Sequence, residues 1–206
     1  MLQIHVFMPK PKLIRSNRHP YHVWNRSNNK EWFYIPLNQV WDMCIKYLNK
    51  VSLQYHAHIH SFVLMNNHFH LLISTPNSNI DRVMQYFNRE LAKEICLKSG
   101  RINRIFGAVY GKSLITTNEY LYHVYKYVFR NPVEAGLCST VESYPYSTLN
   151  YTLRNAPWPF ALTEEGMPPN WSNLSHFDLL RWLNQPYTGD QNELIRRGLR
   201  RAKFRW

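Results

Sequence analysis

The sequence has few residues of several kinds, and each shortage excludes a class of protein. Its three cysteines are widely spaced among 206 residues, which fits neither a disulfide framework nor a cluster of thiolate ligands: Cys44, Cys96 and Cys138. Only 7 glycines occur, and they form no glycine-rich loop of the kind that holds nucleotide phosphates. No apolar run approaches the roughly 18 residues of a membrane span, and residues 1–8 are too short and too polar at His5 for a signal peptide. We therefore expect a soluble, cytoplasmic protein with a single core.

Acidic residues are scarce relative to basic ones, and this imbalance indicates the partner. The chain has 25 Lys and Arg against 13 Asp and Glu, a formal net charge of +12. A surplus of this size favours binding to a polyanion. The 7 Trp, 14 Tyr and 10 Phe interleaved with these charges suit stacking on unpaired bases, although most such rings are expected in the core. We expect a nucleic-acid partner and association with the nucleoid.

Hydrophobic periodicity predicts one mixed domain over residues 1–150, with residues 1–20 as an arm. Period-two runs predict strands and spacings of three and four predict helices. The predicted order is strand 21–26, helix 37–48, strands 54–65 and 68–74 joined by a turn at Asn66 and Asn67, helix 80–96, strand 106–115, and a helix capped by Asn118 that stops at Pro132. This order predicts an α+β fold: a ferredoxin-like antiparallel sheet with helices on one face and the last helix added.

The composition changes after about residue 150. Residues 151–206 are predicted to be a basic C-terminal appendage with a Pro- and Trp-rich loop and two short helices at 175–184 and 190–202. Its last eleven residues contain six Lys or Arg, and we expect them to follow DNA phosphates as a flexible arm. A solvated, disordered tail is the alternative on composition alone.

Three His-x-His triplets occur, and the third is the candidate metal site. Two imidazoles in such a triplet share one face of a strand, because side chains alternate with period two. The overlapping triplets at His56, His58 and His60 are interpreted as structural. His68 and His70 begin a strand expected to be central, where a buried pair can hold an ion; two hydrogen-bonded core histidines are the alternative.

A tyrosine on the last predicted helix is the candidate nucleophile. Four tyrosines compete there, at positions 120, 122, 125 and 127. Only Tyr127 is followed four residues later, one helical turn on, by a side chain with a metal-binding oxygen, that of Asn131. The alternative is a half-buried tyrosine with an ordinary helix-terminal asparagine.

These residue types suit phosphodiester chemistry. A divalent ion held by His68, His70 and the Asn131 oxygen would leave positions open for phosphate oxygens. A phenol with a free pKa near 10 needs help to lose its proton, and its attack leaves a covalent phosphotyrosine. Because that intermediate keeps a phosphodiester bond, rejoining needs no nucleoside triphosphate.

At these residues the chain resembles the single-tyrosine HUH transposases, and most closely their REP-associated tyrosine transposase branch. The resemblance covers roughly residues 20–150. It rests on three segments: Tyr21 to Arg26 with Asn28 and Asn29, Phe62 to Ile73, and Tyr127 to Leu137. One departure lies in the turn before His68, where Asn66 replaces the family's usual proline.

The resemblance implies specific roles. His68 and His70 would be the HUH metal ligands, Asn131 the third ligand, and Tyr127 the nucleophile that takes the 5′-phosphate and frees a 3′-hydroxyl. The metal would be Mg²⁺ or Mn²⁺ and the substrate single-stranded hairpin DNA of the REP type. Related insertion-sequence enzymes are dimers that exchange their tyrosine helices, whereas REP-associated members are of a monomeric type, so the sequence leaves monomer or homodimer open.

The sequence also offers candidate DNA contacts and two other functions. The candidate contacts are Asn25, Arg26, Arg89, Lys112, Arg196, Arg197, Arg200 and Arg201. A catalytically inactive hairpin-binding protein of the same fold is the first alternative. A metal hydrolase of small substrates is the second, but no further His or carboxylate follows His70 at close spacing.

Overall fold

The structure is a computed structural model that describes residues 13–154 and 174–205. Over these ranges the elements follow in the order β1 (Tyr21–Arg26), α1 (Leu37–Tyr55), β2 (His58–Leu64), β3 (His68–Ser74), α2 (Ile80–Ser99), β4 (Gly111–Leu114), α3 (Asn118–Glu134), α4 (Leu149–Leu153), α5 (His176–Asn184) and α6 (Gly189–Leu199). Most of the predicted arm and the Pro- and Trp-rich loop lie outside the described residues. None of the helices in the described ranges combines the length and apolar character that crossing a bilayer requires.

The four strands form one antiparallel sheet in the order β2-β3-β1-β4, which confirms the ferredoxin-like prediction. Helices α1 and α2 cover one face. Alternate strand residues such as Val23, Phe69 and Leu71 point into the core on that side. The β1–β3 register places Trp24 opposite His70 and Arg26 opposite His68, so these four side chains share the other face.

Helix α3 packs on that other face and builds a second core there. Val63 and Leu72 from the sheet meet Val124 and Val128 from α3. The C-terminal residues 174–205 join the same core through apolar side chains of α5, α6 and the segment after them: Leu179, Leu183, Ile195, Leu199 and Phe204. The sheet is therefore covered by helices on both sides.

The prediction of a flexible or disordered C-terminal arm was wrong for the described residues. Ile195 and Leu199 occur at helical spacing between the arginines, so α6 has an apolar side to bury. Beyond α6 the chain pairs with β4, where Phe204 N donates to Leu114 O at 2.9 Å and Leu114 N donates to Ala202 O at 2.9 Å. The basic run is thus held in a defined place.

Several predicted boundaries differ from the structure. Residues 54 and 55 belong to α1, and His56 after it adopts the left-handed conformation (φ 53°), so β2 is shorter than predicted. The predicted strand 106–115 is reduced to β4, because Phe106 makes only an isolated bridge with Ser27. The turn before His68 has no positive φ at Asn66 or Asn67; it closes through a hydrogen bond from Met65 N to His68 O at 2.7 Å.

Helix α3 begins and ends differently from its prediction. Thr117, not Asn118, is the N-cap, and its hydroxyl accepts a hydrogen bond from Tyr120 N at 3.2 Å. Pro132 lies inside the last turn, and the helix continues to Glu134. A proline removes only its own N–H bond to the carbonyl four residues earlier, so one late in a helix does not stop it at once.

Candidate active site

Strand β3 places two histidines side by side on the face that α3 covers. His68 and His70 alternate with Phe69, whose ring lies in the opposite core. The two imidazole centroids are 5.1 Å apart and nearly perpendicular. His70 is buried, with 5% of its surface exposed, whereas His68 is half-buried at the end of the strand.

Hydrogen bonds outside the pair orient both rings. The Asn67 side-chain oxygen lies 2.7 Å from His68 Nδ1 and can only accept, so that nitrogen carries the proton and Nε2 keeps its lone pair. On the other ring, His22 Nε2 lies 3.0 Å from His70 Nδ1, and the two imidazoles stack at 14°. His70 Nε2 is buried and has no hydrogen-bond partner among the described residues.

The histidines of the cleft are held neutral. Burial lowers the pKa of His68 to about 4, and the nearby Arg26 guanidinium acts in the same direction. Burial lowers the pKa of His22 to about 3. Burial also lowers the pKa of His70 well below its usual range, and His22, His68 and Arg26 add to this shift. Neutral imidazoles keep a free lone pair for a metal ion near pH 7.

Helix α3 brings Tyr127 and Asn131 to the histidines. The Tyr127 ring centroid lies 5.7 Å from that of His70 and 6.0 Å from that of His22. One turn later, Asn131 Nδ2 donates to Tyr127 O at 2.7 Å. That bond occupies the amide nitrogen, so the amide oxygen is the atom available to a ligand.

The phenol of Tyr127 experiences opposing influences. Burial raises its pKa from the ordinary value of 10.0. The positive charge of the Arg196 guanidinium acts against burial and lowers the pKa, and Arg26 and Asn131 also lower it. Arg196 belongs to α6, so the C-terminal segment acts directly on the tyrosine.

These side chains line one cleft of about 570 Å³. Strands β1 and β3, α3 and α6 contribute its walls: His22, Trp24, Arg26, Met65, His68, His70, Tyr127, Asn131, Glu134, Ala135, Arg196, Leu199 and Arg200. The indole of Trp24 lies over Gly111, where a Cβ would come within 2.1 Å of the ring. The absence of a side chain at Gly111 therefore leaves room for the indole in the cleft.

The donor set of the cleft suits a divalent ion. Mn²⁺ accepts the three ligands that the cleft offers: His70 Nε2, which has no hydrogen-bond partner among the described residues, the lone pair of His68 Nε2 and the amide oxygen of Asn131. Three protein ligands leave coordination positions of Mg²⁺ or Mn²⁺ open for phosphate oxygens. Within residues 13–154 and 174–205, no group of three or more His, Cys, Asp or Glu side chains is arranged to hold a metal. The Asn131 amide oxygen stays the candidate third ligand, in the same cleft as the two imidazoles.

The predicted DNA contacts fall into three groups. Arg26, Arg196 and Arg200 line the cleft. Arg197 and Arg201 are exposed and lie outside the lining, and Arg197 Nε pairs with Glu193 Oε1 at 3.0 Å.

The third group is not brought to the cleft. Asn25 is buried toward α2, where its Nδ2 donates to Asn88 Oδ1 at 3.1 Å. Arg89 is exposed on the surface of α2 beside Glu90, and its guanidinium lies 5.6 Å from the Tyr86 ring centroid. Lys112 lies over the Tyr110 ring, 5.1 Å from its centroid.

Three polar or aromatic residues of the cleft were missed by sequence reasoning: His22, Trp24 and Glu134. His22 and Trp24 share one face of β1 with Arg26, because the three are spaced two residues apart. This period-two pattern is the signal that relates them to His68 and His70 across the sheet. Glu134 gave no comparable signal. Its carboxylate is occupied by Arg130 Nη2 at 2.7 Å and by Asn192 Nδ2 at 3.0 Å, so it fixes α6 to the end of α3.

Comparison with known proteins relates the chain to transposases. A family model described as "Transposase IS200 like" matches residues 16–130, more than half of the chain. No protein with a curated description matches the sequence. A solved REP-associated tyrosine transposase bound to a REP hairpin is similar at 19% identity and a TM-score of 0.59, covering 76% of this chain and 93% of that one.

A second solved protein, a candidate transposase from Deinococcus radiodurans, is 13% identical with a TM-score of 0.40 over 59% of this chain and 94% of that one. The first structure shows a shared fold, and the family model covers β1, β3 and the tyrosine-bearing part of α3. The resemblance noted in the sequence is confirmed at this level. The chain belongs to the IS200-like transposase family.

Proposed function

We propose that this protein cleaves and rejoins single-stranded hairpin DNA of the REP type, as an HUH strand transferase with Tyr127 as its nucleophile. One observation carries the proposal: Tyr127, the pair His68 and His70, and Asn131 meet in one cleft that arginines surround. The similar solved transposase is bound to a REP hairpin, which supports a hairpin of that class as the substrate.

The chemical step is a transesterification. Tyr127 Oη forms a bond to the phosphorus and loses its proton to water, while the bond from phosphorus to the 3′ oxygen breaks. The leaving oxygen takes a proton and becomes a free 3′-hydroxyl, and the 5′-phosphate stays on the tyrosine. Attack of another 3′-hydroxyl on this phosphotyrosine reverses the step and joins the strands.

His68, His70 and the Asn131 oxygen would hold a Mg²⁺ or Mn²⁺ ion. Such an ion, when bound, neutralises negative charge that develops on the phosphate oxygens. Asn67 and His22 orient the two imidazoles through their outer nitrogens. The surrounding arginines supply a positive potential that draws the DNA backbone to the cleft.

The test is a denaturing protein gel of the protein incubated with labelled single-stranded hairpin DNA and Mn²⁺ or Mg²⁺. We expect a metal-dependent covalent adduct that disappears in Tyr127→Phe and in His68→Ala. Tyr122→Phe is the matched control, because Tyr122 lies on the same helix but lines a different cleft beside Trp182. Hairpin binding without any adduct would instead indicate a catalytically inactive DNA-binding protein.

A further inference from the structure

Four arginines in the last turn of α6 and just beyond it form two pairs, one that lines the cleft and one that does not. Arg196 and Arg200 are four residues apart and line the cleft beside Tyr127. Arg197 and Arg201 are also four apart but lie outside the cleft lining. All four side chains are exposed, so the cleft lining alone separates the two pairs. One short basic run thus contains two residues at the site and two matched neighbours away from it.

Packing fixes the pair that faces the cleft. Ile195 and Leu199 are 0% and 3% exposed in the second core. Gly198 lies so close to the chain after α6 that a Cβ there would come within 2.6 Å of Arg205 O. Asn192 ties the helix to Glu134 of α3. The backbone that carries Arg196 and Arg200 is therefore held in a defined place beside the cleft.

The cleft carries a positive charge that favours binding of an anion. Arg26, Arg196 and Arg200 line it, and the single carboxylate in the lining, Glu134, is already bonded to Arg130 and Asn192. Arginine is suited to phosphate, because its planar fork donates two parallel hydrogen bonds. The free positive charge is concentrated where Tyr127 would meet a phosphodiester.

We propose that Arg196 is a catalytic residue that donates to the Tyr127 oxygen during attack, and that Arg200 binds the phosphate chain entering the cleft. This rests on the proposed strand-transfer function. As the phenol loses its proton, its oxygen becomes negative, and a guanidinium at that oxygen stabilises the charge until the bond to phosphorus forms.

The test compares Arg196→Met with Arg197→Met, using two readouts: the rate of adduct formation at saturating hairpin DNA and the hairpin dissociation constant. Arg196→Met is expected to slow adduct formation roughly 100-fold, as loss of a transition-state hydrogen-bond donor does, with a much smaller change in the dissociation constant. Arg197→Met is expected to leave the rate unchanged. Arg196→Lys, which keeps the charge but not the fork, is expected to fall between wild type and Arg196→Met.

Arg200→Met and Arg201→Met form the second matched pair, read by the salt dependence of hairpin binding. Loss of one phosphate contact at Arg200 is expected to reduce the slope of log affinity against log salt by about one, and Arg201→Met is expected to leave it unchanged.

Distinct outcomes separate this inference from the function on which it rests. Equal rates in Arg196→Met and wild type, equal losses in Arg196→Met and Arg197→Met, or faster cleavage in Arg196→Met would each overturn the catalytic assignment of Arg196. Equal salt slopes for the Arg200 and Arg201 variants would overturn the phosphate contact. Absence of an adduct in wild type would instead contradict the proposed function itself.

Discussion

His70 is the residue where the contacts of the site converge. Its Nδ1 is engaged by His22, its ring adjoins those of His68 and Tyr127, and its Nε2 is buried without a partner among the described residues. A buried nitrogen left unbonded is costly unless a ligand satisfies it. A metal ion bound at this nitrogen would satisfy it, as the metal-site interpretation requires.

Replacement of His22 tests whether its hydrogen bond to His70 Nδ1 orients the His70 ring. His22→Phe keeps a flat ring between Trp24 and His70 but removes the nitrogen that bonds His70 Nδ1. We expect the affinity for Mn²⁺, measured by calorimetric titration, to fall roughly 10–100-fold, as loss of an outer hydrogen bond to a metal ligand does.

His60→Phe provides the control for that measurement. His60 is also buried in the sheet, but its Nε2 lies 2.7 Å from Ser74 Oγ and it does not line the cleft. Its replacement is expected to leave Mn²⁺ affinity unchanged. If both variants bind Mn²⁺ as wild type does, His22 has no part in orienting the ligand.

Sequence patterns predicted that His68 neighbours His70 and that Tyr127 neighbours Asn131, because period two in a strand and period four in a helix bring such side chains together, and all four line one cleft. They missed His22, whose relation to His70 depends on strand pairing between residues 48 apart. They also grouped Arg196 with Arg197, since only packing decides which side of α6 faces the cleft. The sequence therefore predicted candidate residues but not which side of a strand or helix faces the cleft.

At the scale of elements, α3 connects the sheet to the C-terminal helices. Its Lys126 is 5% exposed, with its ammonium 5.3 Å from the Trp182 ring centroid and 5.0 Å from that of Tyr187. Arg130, one turn later, donates to the carbonyls of Leu183 and Asn184 at 3.2 and 2.8 Å. The sequence predicted the C-terminal segment as an appendage, because its apolar residues are sparse and their burial depends on packing against α3.

Lys126 predicts a pH dependence of stability. Burial, with a contribution from Arg130, lowers the pKa of Lys126 from 10.5 to about 8. Between these values the unfolded chain binds more protons than the folded one, so this lysine favours folding increasingly as the pH rises. The difference in unfolding free energy between wild type and Lys126→Met should therefore shift in favour of wild type from about pH 8 to pH 10.

Chemical unfolding at several pH values measures that difference. Subtracting the Lys126→Met curve removes the effect of other groups that titrate in the same range, such as the buried thiol of Cys44. The Met side chain keeps the apolar contact with the two rings. A difference that stays constant with pH would show that Lys126 is not desolvated in the folded protein.

For the whole molecule, the important fact is that one chain supplies every part of the candidate site. The His pair comes from β3, the tyrosine and amide from α3, and the arginines from β1 and α6 of the same chain. The sequence left open whether the tyrosine acts in its own chain or in a partner. Within one chain, the Tyr127 ring centroid lies 5.7 Å from that of His70.

Mixing two inactive variants tests this arrangement. Tyr127→Phe lacks the nucleophile and His68→Ala lacks a metal ligand, so a shared site would regain activity when the two are combined. We expect no adduct from the mixture, because each chain forms its own site. Recovery of adduct would show that tyrosine helices are exchanged, and a mixture of wild type with Tyr127→Phe calibrates the signal for dilution.

The most direct test of the account is mass spectrometry of the trapped protein–DNA adduct after proteolysis. The account predicts one modified peptide, with the 5′-phosphate of the cleaved strand on Tyr127, and a free 3′-hydroxyl on the released fragment. A modification on another tyrosine, or a 3′-phosphate linkage, would contradict the assignment of Tyr127 as the nucleophile of this cleft.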